Sequence, residues 1–170
     1  MRLGSLLLGS LTGVCVAGGL APPAAAQGFG LWAVPLRQCR ITIPGQPERS
    51  CSRLRLEQKL EGVLSVAFQS FGEGGPLASQ NLTFAGTLAP GQQPLRCRTD
   101  GRCDDPPQPL LLRVNSVAWS RFDGRGLASA LPQARLAQGL CRLHRQDMRC
   151  EARTEEQAAS PWKASALLGP

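Results

Sequence analysis

The chain predicts an all-β domain, an antiparallel β-sandwich or small barrel stapled by disulfides, and three observations carry that prediction. Apolar and polar residues alternate at period two in several short runs. Breaks rich in Gly and Pro separate the runs, with no solenoid repeat and no coiled-coil heptad between them. Six cysteines fall into three closely spaced pairs, "CRITIPGQPERSC" (39–51), "CRTDGRC" (97–103) and "CRLHRQDMRC" (141–150), and each pair encloses at least two arginines.

The first residues precede the domain. "MRLGSLLLGSLTGVCVAGGLAPPAAAQ" sets an early cation, Arg2, before a long apolar stretch, a Pro pair and Ala24-Ala25-Ala26. That order is the pattern of a secretory signal, with cleavage expected after Ala26, so residues 1–26 read as a removed signal peptide that takes Cys15 with it. A retained membrane anchor is the alternative reading, because the apolar run approaches the roughly 20 residues needed to span a bilayer. Cleavage leaves no membrane span and a single domain over 28–165, with a disordered tail at 166–170.

Within the domain the clearest alternation runs from Leu54 to Phe68. Leu54, Leu56, Leu60, Leu64, Val66 and Phe68 occupy even positions and Arg53, Arg55, Glu57, Lys59 and Glu61 odd ones, which is strand periodicity. A helical stripe through Leu56, Leu60, Val63, Leu64, Ala67 and Phe71 competes, but Gly62 interrupts it. "FGEGGP" (71–76) is a loop, "NLTFAGTL" (81–88) a strand, and "PGQQP" (90–94) the next break. In "PLLLRVNSVAWSRF" (109–122) the apolar phase shifts from Leu110, Leu112 and Val114 to Val117 and Trp119; one extra residue near Asn115 or Ser116, a bulge, would restore a common face. "FDGRG" (122–126) is a turn, "LASALPQARLAQ" (127–138) allows one helical turn before Pro132, and Gly139 to Ala152 reads as a hairpin.

Strand arithmetic explains the cysteine and arginine pairs. A four-residue loop from His144 to Asp147 puts Leu143 opposite Met148, Arg142 opposite Arg149 and Cys141 opposite Cys150, with the cysteines on the inner face and the arginines on the outer one. A three-residue loop, Thr99-Asp100-Gly101, puts Arg98 opposite Arg102 and Cys97 opposite Cys103, and asks Gly101 for a left-handed conformation. Cys39 and Cys51 flank the Pro44-Gly45 turn less regularly, and a bulge is expected there. Neighbour pairing is therefore the expected connectivity, each clip contributing roughly 2–3 kcal/mol. The clip holds a like-charge pair that unassisted strands would disfavour. On the solvated face such arginines discourage edge pairing between molecules, or present two guanidinium forks to a phosphate, sulfate or carboxylate.

An even cysteine count in an exported chain points to an oxidising compartment, secreted or periplasmic. Zinc is set aside because no C-x-x-C is present and His144 is the only histidine. The formal charge is +7, nearly all from arginine, and suits an anionic envelope glycan, a lipid headgroup or an acidic protein. Nucleic acid is disfavoured, since three Trp and five Phe without Tyr give no basic-aromatic interleaving.

No catalytic constellation or cofactor motif emerges. His144 sits at a predicted loop tip, and "GEGG" (72–75) lacks the Lys-Ser/Thr ending of a phosphate loop. The expected function is a non-catalytic binding or structural module of the cell envelope, with Arg98, Arg102, Arg142 and Arg149 as candidate anion ligands. Two alternatives stand: a hydrolase using Asp104 or Asp105 with Asp123, and a serine-protease inhibitor displaying Arg145 or Arg102 in a disulfide-closed loop.

Overall fold

The computed structural model describes residues 28–72 and 78–169, so the signal-peptide reading, Cys15 and most of the "FGEGGP" loop lie outside the described residues. The strands are β1 (Gly30–Thr42), β2 (Arg49–Ser50), β3 (Arg53–Leu60), β4 (Val63–Phe71), β5 (Ser79–Leu88), β6 (Leu110–Phe122), β7 (Gln133–His144), β8 (Asp147–Arg153) and β9 (Trp162–Leu168). All strand pairs are antiparallel, and β1 pairs with both β3 and β9, so the sheet closes on itself as an eight-membered barrel in which β2 continues the line of β3. Of the two predicted architectures, the barrel is the one present.

Eight strands enclose a space that side chains can fill. Phe68 and Phe84 meet edge to face at 6.1 Å in the middle of it, among Leu54, Leu56, Leu64, Val66, Leu82, Leu112 and Met148. The even-numbered alternation from Leu54 to Phe68 spans two strands rather than one. The chain turns at Glu61-Gly62, where Gly62 takes φ +76°, and Gln58 pairs with Leu64, so even positions meet even positions across the hairpin. The register slips by one beyond Gln58, which turns Leu60 out to solvent and leaves Gln58 fully buried.

The shift of phase in β6 is the expected bulge. Ala85 pairs with Ser116 and Gly86 with Val114, so Asn115 is passed over and Val114, Val117 and Trp119 all face inward. Gly86 is needed at this crossing: a Cβ there would collide with the Arg113 carbonyl oxygen. Two other expectations fail. Residues 127–132 contain no helical turn, and the strand that follows begins at Gln133. The predicted disordered tail does not hold for Ala166–Leu168, which belong to β9 and close the barrel; Trp162, Ala164, Ala166 and Leu168 alternate inward, a pattern that short small residues conceal in the sequence.

The disulfides join Cys39 to Cys51, Cys97 to Cys103 and Cys141 to Cys150. Cys141 and Cys150 are directly opposed inside the β7–β8 wall, with Leu143 opposite Met148, although pairing continues to His144 and Asp147 and shortens the loop to Arg145-Gln146. The Cys97–Cys103 hairpin has the expected register, with Gly101 at φ +80°. It packs on the edge of β1 that β9 does not reach: Leu31 donates its N–H to Gly101 and accepts from the Cys103 N–H. Beneath this hairpin Leu95 plugs the barrel end, its backbone N–H and C=O bonded to the Gln58 side-chain amide at 2.9 and 3.1 Å. At the other end Arg40 pairs with Ser50 and Ile41 with Arg49, a register that brings Cys39 and Cys51 opposite each other without the expected bulge. Ile41 and Ile43 are buried there.

Gly86→Ala is expected to lower the unfolding free energy by about 1–3 kcal/mol in urea titration, because backbone rather than a mobile side chain blocks the new methyl. Gln58→Leu is expected to cost a similar amount, about 1–3 kcal/mol, by leaving the Leu95 amide unpaired at the plugged end.

Candidate surface: an arginine row on the barrel wall

Side-chain alternation builds the site. Because Cys141 and Cys150 face inward, Arg142 and Arg149 project outward from the same register position. The row continues around the barrel: Arg149 pairs with Ser165 on β9, and Ser165 with Arg40 on β1. Three arginines and a serine thus lie across four adjacent strands, about 15 Å at the usual strand spacing. On one side of the row stand Leu140, Glu151, Lys163 and Thr42; on the other stand His144, Asp147, Leu167 and Gln38. Along the first of these sides runs an open groove of about 400 Å³ whose charged lining is Arg40, Arg142, Arg149 and Lys163 against Glu48 and Glu151.

The cations are not equivalent. Arg149 bonds Asp147 at 2.8 Å, and that hydrogen bond and charge raise the arginine pKa above its ordinary value. Arg40 meets Glu48 at 3.2 Å, and Lys163 shares Glu151 with Arg153 at 3.5 and 2.9 Å. Arg142 has no ion pair among the described residues, so it is the uncompensated charge of the row. Exposed ion pairs of this type contribute little and yield to salt, so a ligand with several negative groups can compete for Arg149 and Arg40.

Arg98 and Arg102 are arranged differently. Their backbones pair, Arg98 N–H to Arg102 oxygen at 2.8 Å, but Asp100 holds the Arg98 guanidinium at 3.0 Å and accepts the Arg102 N–H at 3.0 Å. The Arg102 backbone bond first, and Arg98 next, push the Asp100 pKa below its ordinary value, so a carboxylate already engages the Arg98 fork and the Arg102 backbone. The 97–103 hairpin contributes no residue to the wall groove, and the two arginine pairs remain separate. Nor do the arginines guard an edge: β7 and β8 are paired on both sides along this stretch.

The third clip divides its arginines. Arg40 pairs with Ser50 and faces outward into the row, whereas Arg49 pairs with the buried Ile41 and faces the barrel end. Sequence reasoning missed Arg40, Ser165 and Lys163 as partners of Arg142. The signal available was the repeated Cys-Arg step at 39–40 and 141–142, which assigns both arginines to the outer face; the neighbourhood of β9 was not readable.

The carboxylates singled out for hydrolysis are not brought together. Asp104 and Asp105 precede β6 and Asp123 follows it, at opposite ends of a 13-residue strand about 40 Å long. Asp105 accepts the Trp32 Nε1–H at 2.9 Å. His144 is exposed at the β7–β8 tip, opposite Asp147. Arg145 sits within the tight turn at φ 56°, and the Arg102 backbone is engaged in the 97–103 hairpin, so neither arginine lies in an extended loop. Among the described residues there is no group of three His, Cys, Asp or Glu able to hold a metal, and no helix long and apolar enough to cross a membrane. Comparison with protein-family models, curated proteins and solved structures returned no match for this chain.

Asp123 organises the β6–β7 loop: its carboxylate accepts the backbone N–H groups of Leu127 and Arg125 at 3.0 and 2.9 Å and binds the Arg125 guanidinium. The Leu127 bond, followed by those of Arg125, lowers its pKa below 3.8. A lowered folded-state pKa contributes stability that is present above the unfolded value and lost as pH falls through the folded one. The stability gap between the native protein and Asp123→Asn is therefore expected to narrow between about pH 5 and about pH 2 in denaturant titrations.

Proposed function

We propose that the protein is a non-catalytic binding module of the cell envelope that holds an elongated anionic ligand against the outer wall of its barrel. The observation that carries this reading is the single row of Arg142, Arg149 and Arg40 across four strands, lining one groove with Lys163. A guanidinium fork matches sulfate, phosphate and carboxylate oxygens, and a row transverse to the strands presents successive forks to a chain lying around the barrel. The filled interior supports an exterior site, since aromatic and aliphatic side chains occupy the space where a small barrel would hold a ligand. Export is part of the proposal: the signal-like first 26 residues and three disulfides are both features of a secreted or periplasmic protein. An anionic glycan is the favoured ligand among the envelope polyanions because its charges repeat along a chain, as the arginines repeat along the row.

The mature protein is expected to be retained on a sulfated-glycan matrix in a salt-sensitive way. Arg142→Gln combined with Arg149→Gln should lower the eluting salt concentration clearly, and Asp147→Asn should raise it by releasing Arg149. Arg98→Gln should leave it unchanged. Equal elution of all four proteins would remove the wall groove as the site.

A further inference from the structure

The inward-facing arginine of the third clip leads to a second site, separate from the wall. Arg49 is half-buried at the barrel end opposite the Leu95 plug. Its guanidinium carbon lies 5.9 Å from the centre of the Trp119 ring, and its Nη1 donates to Gln80 Oε1 at 2.5 Å. Gln80 continues the inward set of β5, two residues before Leu82, and its register partner on β6 is Arg121, two residues beyond the inward Trp119. Arg121 therefore stands on the rim beside the side chain that anchors Arg49. Neither arginine forms an ion pair among the described residues. Trp119 is 4% exposed, and its Nε1–H has no hydrogen-bond acceptor among the described residues.

We infer that Arg49, over the Trp119 ring, and Arg121, beside Gln80 on the rim, form an oxyanion-binding site at this end of the barrel, taking a phosphate or sulfate group either as the free ion or as a monoester. Arg49, bonded to Gln80, and Arg121, the register partner of Gln80, have no carboxylate partner among the described residues, and a doubly charged oxyanion would neutralise their positive charge at the rim. Stacking on the indole and the bond to Gln80 fix the Arg49 fork before the ligand arrives, which reduces the ordering cost of binding. The wall differs in this respect, because carboxylates there already engage Arg40 and Arg149.

Trp119 makes the site observable. Its indole N–H resonance, assigned by comparison with Trp119→Phe, can be followed while the mature protein is titrated with inorganic phosphate, inorganic sulfate and glycerol phosphate at constant ionic strength. The expected result is a saturable shift, weakened about tenfold or more by Arg49→Gln and by Arg121→Gln, as expected for loss of a charge-assisted hydrogen bond. Tighter binding of glycerol phosphate would assign the site to an ester, and equal binding to the free ion. Because Arg49 is partly buried, Arg49→Lys provides a variant that keeps the charge but loses the fork, and the exposed Arg121 tests the site from the rim. A shift that is absent, that survives both glutamine substitutions, or that is abolished by Arg142→Gln with Arg149→Gln would overturn the inference. The last of these results would leave the wall groove standing.

Discussion

Closure of the sheet depends on one strand serving two neighbours. The first part of β1, Gly30 to Pro35, pairs with β3, and the second part, from Leu36 on, pairs with β9, with a register irregularity between Leu36 and Gln38 where the change occurs. Everything the surface presents follows from that closure. Once β9 lies between β8 and β1, inward and outward positions are fixed all around the ring, and a cysteine facing the core commits the adjacent arginine to solvent. Without closure Arg142 and Arg149 would be a local pair on a hairpin. With it they become part of a row that reaches Arg40.

The disulfides divide the work of sealing this barrel. Cys141–Cys150 lies within the wall, where β7 and β8 are already paired over seven residue pairs. The other two act at the ends. The Cys97–Cys103 hairpin covers the edge of β1 left bare by the short β9, and Gly30 makes room for its sulfurs, since a Cβ there would collide with both. The Cys39–Cys51 clip holds Ile41, Ile43 and Arg49 across the opposite end. An open edge or an uncovered mouth would expose backbone groups and apolar side chains to other chains, and both are occupied here by covalently closed segments.

The sequence made the local geometry legible because period-two patterns and turn residues act over short distances. The two hairpin registers at 97–103 and 141–150 and the bulge at Asn115 were all readable from alternation and loop length. What was hidden depends on distant partners. Leu60 leaves the inward set where the register slips, and Gln58 stays buried because Leu95, from a loop 37 residues beyond it, supplies hydrogen bonds to its amide. The end of β9, from Ala166 on, reads as a tail in the sequence because Ala164 and Ala166 carry little hydrophobic signal, although both are buried in the barrel. Half of the candidate site, Arg142 opposite Arg149, came from local arithmetic; Arg40, Ser165 and Lys163 required knowledge of which strand lies next to which.

The order of the ring also bears on how the protein is assembled. Its three sulfur bridges span 12, 6 and 9 residues and can form as soon as each short segment has emerged, whereas the seam between β1 and β9 joins residues more than a hundred positions apart. Until the last strand is delivered, the growing sheet carries two unsatisfied margins, and its topology places the costliest loop closure at the final step. A chain that crosses a membrane in extended form and reaches its oxidants on the far side would thus acquire its covalent staples first and its circular shape last.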